Sequence, residues 1–323
     1  MFSTRITQLF GIEYPLIMGG MRHVGRAELV AAVANAGGLG FLSAHTLPSA
    51  EALREEIAKV RTLTDKPFGV NLTILPGLSA KPEDYAKVII DCGVPAAETA
   101  GGNPARFIAA FNEAGVKVLH KCTAVRFALK AQQLGADAVS ITGFEAAGHP
   151  GEDYVPGLVL IPATVAKLDI PVVASGGFAD GQGLVAALAL GAEGISMGTR
   201  FMMTRESIMH DAVKQRYLAA SERDTTLICR SIGDSTRVLK NALTDQILEL
   251  ERSGTASHDE LMALASSQRW VDAAGRGDPD DGAYAAGVCA GLIRDIPSCD
   301  KLVQKIITDA RAIIGQRLQG IIS

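Results

Sequence analysis

Cysteine is sparse in this chain and never paired. Cys92, Cys122, Cys229, Cys289 and Cys299 form no CxxC pair. An odd, scattered count argues against a disulfide framework and fits reduced thiols. No apolar run approaches the roughly 18–20 residues that a membrane span needs. Basic charge is not in excess. The formal net charge of −4 gives no footing for nucleic acid or an anionic membrane surface. The opening MFSTRITQLFGIEYP lacks the basic-then-apolar layout of a signal peptide, so a cytoplasmic location is expected. The six histidines show no HxH or HExxH spacing, and no metal centre is expected. A GxGxxG strand-to-helix fingerprint is also missing, which argues against a separate dinucleotide-binding unit.

What is abundant is glycine, at 34 residues, and a repeating rhythm. Short Val-, Ile- and Leu-rich runs recur at 15–21, 39–44, 67–74, 95–100, 117–123, 138–143, 171–177 and 194–200. Their starts are separated by 24, 28, 28, 22, 21, 33 and 23 residues. That spacing holds one strand, one helix and two loops per unit. The intervening stretches, such as RAELVAAVANAGG and TAVRFALKAQQLGAD, have helical apolar spacing and end near glycine. LGADAVSI and LGAEGISM read as one helix-to-strand joint used twice. Eight such units predict an α/β fold, a closed (β/α)8 TIM barrel; a doubly wound open sheet is the competitor. Only the fourth strand, PAAETA, is weak by propensity.

After about residue 220 the rhythm changes. SERDTTLICRSIGDSTRVLKNAL has strand-like or irregular character, and the chain then reads helical to about residue 315. The expected division is a barrel over 1–220 and a smaller, mainly helical second domain over 221–300 covering the barrel mouth. The last helix, 301–323, is expected to return to the barrel.

In this fold, active sites sit on the loops after the strands. The longest interval, 33 residues, follows strand six and contains GFEAAGHPGED, so His149 is expected at the functional face. Strands seven and eight end in SGG (175–177) and GTR (198–200). Small residues there let backbone N–H groups approach a phosphate, and Arg200 could add charge. Strand one ends in Gly19 and Gly20, which allow close backbone approach. Strand three ends with Asn71, a donor and acceptor. Lys121 ends strand five; facing inward, it would stabilise negative charge on a reduced cofactor. Met21, His23, His45, Met202 and Tyr284 are further candidate pocket residues. Cys122, beside Lys121, has no evident histidine partner and reads as an inert buried thiol.

PLIMGGM, NAGGLG, PFGVNLT, HKCTAV, GFEAAGHPGED, ASGGFADG and ALGAEGISMGTRF occur in this order over most of residues 1–205. Together they resemble the nitronate monooxygenase family, formerly called 2-nitropropane dioxygenases. The resemblance implies an FMN-dependent oxidoreductase on a TIM barrel with a helical second domain. Carried onto this chain, it places Gly19, Gly20 and Met21 along the isoalloxazine. Asn71 or Thr73, together with Lys121, reaches the ring or ribityl oxygens, and Ala147 and Gly148 lie beside the cofactor. Ser175, Gly176, Gly177, Gly198 and Thr199 hold the phosphate. His149 resembles the active-site histidine at the reactive edge of the flavin, suited to general-base or hydrogen-bonding work.

The implied activity is oxidation of alkyl nitronates with O2 through flavin semiquinone. The GFExAGHPGED form is similar to a subgroup acting as NADH:quinone reductases, which would add NADH or NADPH as co-substrate. A third reading is an enoyl- or acyl-thioester (CoA) reductase or dehydrogenase, with Arg223, Arg230, Arg237 and Lys240 as a candidate patch for CoA phosphates. A fourth is a non-catalytic binding barrel, which predicts a colourless protein. The expected partner is a small molecule (a nitronate, quinone or acyl-thioester), not nucleic acid or membrane, and homodimer formation stays open.

Overall fold

A computed structural model describes residues 2–74, 81–254 and 256–322. Eight parallel strands close into a barrel in chain order. They are β1 (Leu16–Met18), β2 (Leu39–Ser43), β3 (Gly69–Ile74), β4 (Ala96–Gly101), β5 (Lys117–Cys122), β6 (Ala138–Thr142), β7 (Val172–Ser175) and β8 (Ile195–Ser196). All eight strands expected from the spacing are present, PAAETA included. The last is shorter than expected, because Thr199 already opens a helix.

Helices α1 (Arg5–Phe10), α2 (Ala27–Asn35), α3 (Ala50–Leu63), α4 (Pro82–Asp91), α5 (Ala105–Glu113), α6 (Val125–Gln133), α7 (Gly157–Val165) and α8 (Gly181–Ala189) follow in sequence. Helix α1 precedes the barrel and closes its N-terminal end. A reciprocal capping box between Thr4 and Thr7 starts it, and Gly11 in left-handed conformation ends it. Its Ile6 and Phe10, with Ile12, pack onto Ile17, Leu39, Phe41, Ala96, Leu119, Ala138 and Val173 inside the barrel. The strands' other faces, such as Val118, Val139 and Ile141, join the larger core beneath the surrounding helices. Period-two alternation accounts for both layers: neighbours along one strand feed different cores.

Beyond β8 come α9 (Thr199–Met202) and α10 (Asp211–Leu218), then an antiparallel hairpin of β9 (Thr225–Ile228) and β10 (Thr236–Leu239). This hairpin occupies the stretch that reads strand-like or irregular in the sequence. Helices α11 (Ala242–Ser253), α12 (His258–Leu264) and α13 (Ser267–Arg276) complete the region. Ile228, Cys229, Val238, Leu243, Ile247 and Leu261 give it a small core of its own. The long helix α14 (Cys299–Ala312) then packs on α2 and α8 of the barrel. It crosses α8 at Gly181, where a Cβ would lie 2.7 Å from the carbonyl oxygen of Ile306. Among the described residues, no helix is long and apolar enough to cross a membrane.

Candidate active site

The C-terminal half of the barrel interior is polar. Continuing the inward alternation past the apolar layer, the strands present Gly19, Ser43, Asn71, Thr73, Glu98, Lys121, Ser140, Thr142, Ser175 and Ser196. Glu98 is fully buried. Its Oε2 accepts from the Gly20 backbone N–H at 2.8 Å and from Asn71 Nδ2 at 2.7 Å. Asn71 Oδ1 in turn accepts from the Thr73 hydroxyl at 3.0 Å. The carboxamide is thereby held at both ends. Glycine at position 20 follows from this network: a Cβ there would sit 2.3 Å from Asn71 Cβ and Cγ.

Not every polar group in this layer has a partner. Glu98 Oε1, Ser140 Oγ and Thr142 Oγ1 are buried without a hydrogen bond. Buried polar atoms are almost always paired, so such a cluster marks a place where something else belongs. Lys121 faces the same space, half-buried, with no hydrogen bond or ion pair among the described residues. Asn71, Thr73 and Lys121, singled out in the sequence, lie together in this layer with Glu98, which was not singled out. The signal available was a carboxylate at an inward position of β4.

On the β7–β8 side, Ser175 and Ser196 are neighbours in register. Gly176 and Gly177 follow with φ of 88° and 85°, a left-handed pair that other residues rarely adopt. Gly198 lies under Met21, whose Sδ would be 3.5 Å from a Cβ at Gly198. The ends of β1, β7 and β8 therefore converge as the motifs predict. Thr199 is buried and its Oγ1 accepts from the Gly287 N–H at 3.1 Å. Arg200 adds no charge here: its guanidinium is buried and paired with Asp295 at 2.5 Å.

His149 stands on the β6–α7 loop, exposed, with Nε2 3.2 Å from both Asp234 Oδ1 and Thr236 Oγ1. These partners come from the hairpin, more than eighty positions away, and were not foreseen. Beside it, Gly148 exchanges both backbone hydrogen bonds with Arg237, at 3.0 and 2.6 Å. Its N–H and C=O are thus engaged, and what it offers a ligand is the absence of a side chain. Ala147 is partly buried next to Gly287. Glu145 accepts from the Gly157 N–H with both oxygens and so anchors the start of α7. The hydrogen bond from His149 is the leading cause holding the Asp234 carboxyl below its usual range.

The opposite rim is aromatic. His23, at φ 68°, stacks on Trp270 of α13 at 4.8 Å and meets Ser267 Oγ at 2.5 Å. Burial pushes its imidazole down to about 4. His45 packs edge-on to Tyr85, and its buried Nε2 has no partner. Met202 and Tyr284 are buried; the Tyr284 hydroxyl donates to the Asp278 carbonyl, so it is not a free pocket group. Two of the four cations proposed as a patch are engaged elsewhere. Arg237 is buried on the Phe144 carbonyl and ring, and Arg230 lies over the Tyr154 ring. Burial pushes the Cys122 thiol up to about 12, which keeps it protonated and inert. Among the described residues, no group of three or more His, Cys, Asp or Glu could hold a metal ion.

The comparisons with known proteins bear on the family and the fold. The profile of the family described as nitronate monooxygenase matches residues 3–309. A protein of Rhodococcus jostii (strain RHA1) named (3aS,4S,5R,7aS)-5-hydroxy-7a-methyl-1-oxo-octahydro-1H-indene-4-carboxyl-CoA dehydrogenase is 38% identical, with 95% of each chain covered. A probable nitronate monooxygenase of Staphylococcus saprophyticus is 32% identical over 77% of this chain and 82% of its own. The solved structure of FabK from Thermotoga maritima superposes with a TM-score of 0.93 at 35% identity, covering 99% of this chain and 100% of that one.

Proposed function

Because the chain belongs to the nitronate monooxygenase family, we propose that it is an FMN-dependent oxidoreductase whose substrate is a CoA thioester. Family membership makes it an oxidoreductase; the cofactor and substrate are our reading. One observation carries the cofactor. Three buried side-chain oxygens, on Glu98, Ser140 and Thr142, lack partners beside the unpaired Lys121. This donor and acceptor set fits a flat heteroaromatic ring with alternating N–H, N and C=O groups. Gly19, Gly20, Met21, Asn71, Thr73 and Lys121 would hold the ring side, with Ala147 and Gly148 at its edge. Ser175, Gly176, Gly177, Gly198 and Thr199 would hold the phosphate.

Bound FMN would supply an acceptor for two electrons. The chain supplies the rest. Asp234 accepts only, so it selects the His149 tautomer with hydrogen on Nε2 and leaves Nδ1 free as a base. The carboxylate also supports the imidazolium that forms when Nδ1 takes a proton, as in other base–orienter pairs. The proton would come from the carbon beside the thioester carbonyl. Lys121 places positive charge where electrons accumulate. The hairpin pairs with the β6–α7 loop at Gly148, and α13 stacks Trp270 on His23.

The CoA reading is favoured by the named dehydrogenase, which aligns over 95% of both chains, hairpin and helices included. The shorter alignment of the probable nitronate monooxygenase favours a second reading, oxidation of alkyl nitronates. The test is anaerobic mixing of FMN-loaded protein with an alicyclic acyl-CoA, an alkyl nitronate, NADH and NADPH in turn. Bleaching of the flavin by the acyl-CoA alone is the expected result. Bleaching by the nitronate and not by the thioester would reverse the order of the two readings. Bleaching by a nicotinamide nucleotide would instead assign it the role of electron donor, with the thioester or a quinone as acceptor.

A further inference from the structure

Glu98 is the least expected residue in the barrel. It is a carboxylate on a strand whose neighbours are alanine and threonine, with no exposed surface at all. Half of it is explained. Oε2 holds the Gly20 N–H and Asn71 Nδ2, and through Asn71 the Thr73 hydroxyl. The other half is not, since Oε1 is buried and bare. An ionised carboxylate oxygen can only accept, so it needs a donor. Ser140 and Thr142 differ in this respect, because a rotating hydroxyl can donate or accept.

The surroundings say what kind of donor. Glu98 Oε1 and Lys121 Nζ flank Gly19, at 3.2 and 3.7 Å from where a Cβ would stand, and they form no ion pair. An obligate acceptor and an obligate donor therefore face one glycine-lined space without meeting. A ligand edge that carries an N–H next to a C=O satisfies both. Oxidised isoalloxazine has a single ring N–H, at N3, between two carbonyls.

We propose that Glu98 is a cofactor-positioning residue whose Oε1 accepts the N3–H of the flavin ring while Oε2 fixes Gly20 and Asn71. This rests on the FMN reading above. It assigns to the fourth strand a role in reading the ring edge that is separate from the phosphate loops and from His149.

The experiment compares FMN with 3-methyl-FMN, in which that N–H is replaced, by fluorescence titration of the full-length protein stripped of flavin. Wild type should bind the methylated flavin about 10- to 100-fold more weakly, the range of a lost charge-assisted hydrogen bond. Glu98→Gln keeps the side-chain length and an oxygen for Gly20 and Asn71 but turns an NH2 toward the ring. It should bind FMN more weakly by a similar factor and treat both flavins alike to within about threefold. Equal binding of the two flavins by wild type overturns the role of Glu98 and leaves the FMN reading standing. Full discrimination retained in Glu98→Gln assigns the effect to another group and also overturns it. Uptake of neither flavin by wild type overturns the proposal together with the reading beneath it. The wild-type comparison needs no variant, so a destabilised Glu98→Gln does not remove the test.

Discussion

Seven strands of the barrel carry, on the inward face, an apolar residue or glycine in the lower layer and a different kind of group two positions later. Ile17 gives way to Gly19, Phe41 to Ser43, Gly69 to Asn71, Ala96 to Glu98, Leu119 to Lys121, Ala138 to Ser140 and Val173 to Ser175. One step of the pleat separates the two layers. The lower one is sealed by α1 and has every reason to exist in terms of burial alone. The upper one contains three buried oxygens without partners, one of them on a carboxylate, which work against stability. A protein under selection for stability alone would continue the apolar layer upward. On six of these strands the upper residue is polar or charged, and on β1 it is Gly19, beside Glu98 and Lys121.

The difference can be broken from either side. The largest effect belongs to the lower layer. Phe41→Ala should cost about 3–5 kcal/mol, read as a drop in chemical-denaturation stability. Phe41 is fully buried, with its ring against Gly69. The fraction that stays folded should bind FMN as wild type does.

At the rim, His149→Ala should lower turnover on the order of 100-fold or more while leaving FMN affinity within about twofold. Steady-state kinetics and flavin titration on the same preparation check both halves of the statement. In the upper layer, Gly20→Ala should weaken FMN binding about 10- to 100-fold, because the new methyl group displaces the Asn71 side chain. Unfolding should shift much less than for Phe41→Ala.

Thr142→Val sharpens the contrast. Removing a buried hydroxyl that has no partner should leave the flavin-free protein equally stable or up to about 1 kcal/mol more stable. The same change should weaken FMN binding by about threefold, as measured by titration.

The smallest effect is electrostatic. Asp234 is held below the usual carboxylate range by His149, so its contribution to stability is present above the unfolded carboxylate pKa. It is lost as pH falls through the lower, folded value. The side chain is 44% exposed, which makes the contribution slight and salt-sensitive. His149→Ala should abolish it, seen as a flatter acid limb in a stability-versus-pH curve.

Much of this was legible in the sequence, for identifiable reasons. Strand spacing and glycine-terminated helices are local signals, and they led to all eight strands and to the family. The glycines after β7 are also local, because two successive left-handed residues demand them. What stayed hidden depends on distance or direction. Glu98 made PAAETA look like a weak strand, since propensity does not say which face a carboxylate occupies. Asp234 and Thr236 reach His149 only because the hairpin folds back onto the β6–α7 loop. Arg200 and Arg237 read as free positive charge until Asp295 and the Phe144 carbonyl are seen beside them.

We propose the polar upper layer as a flavin site. The direct measurement is the visible absorption spectrum of the full-length protein after incubation with FMN and removal of the unbound cofactor. A yellow protein with one FMN per chain is expected, with loss of most of that colour in Gly20→Ala under the same conditions. A wild-type protein that stays colourless in excess FMN would contradict it.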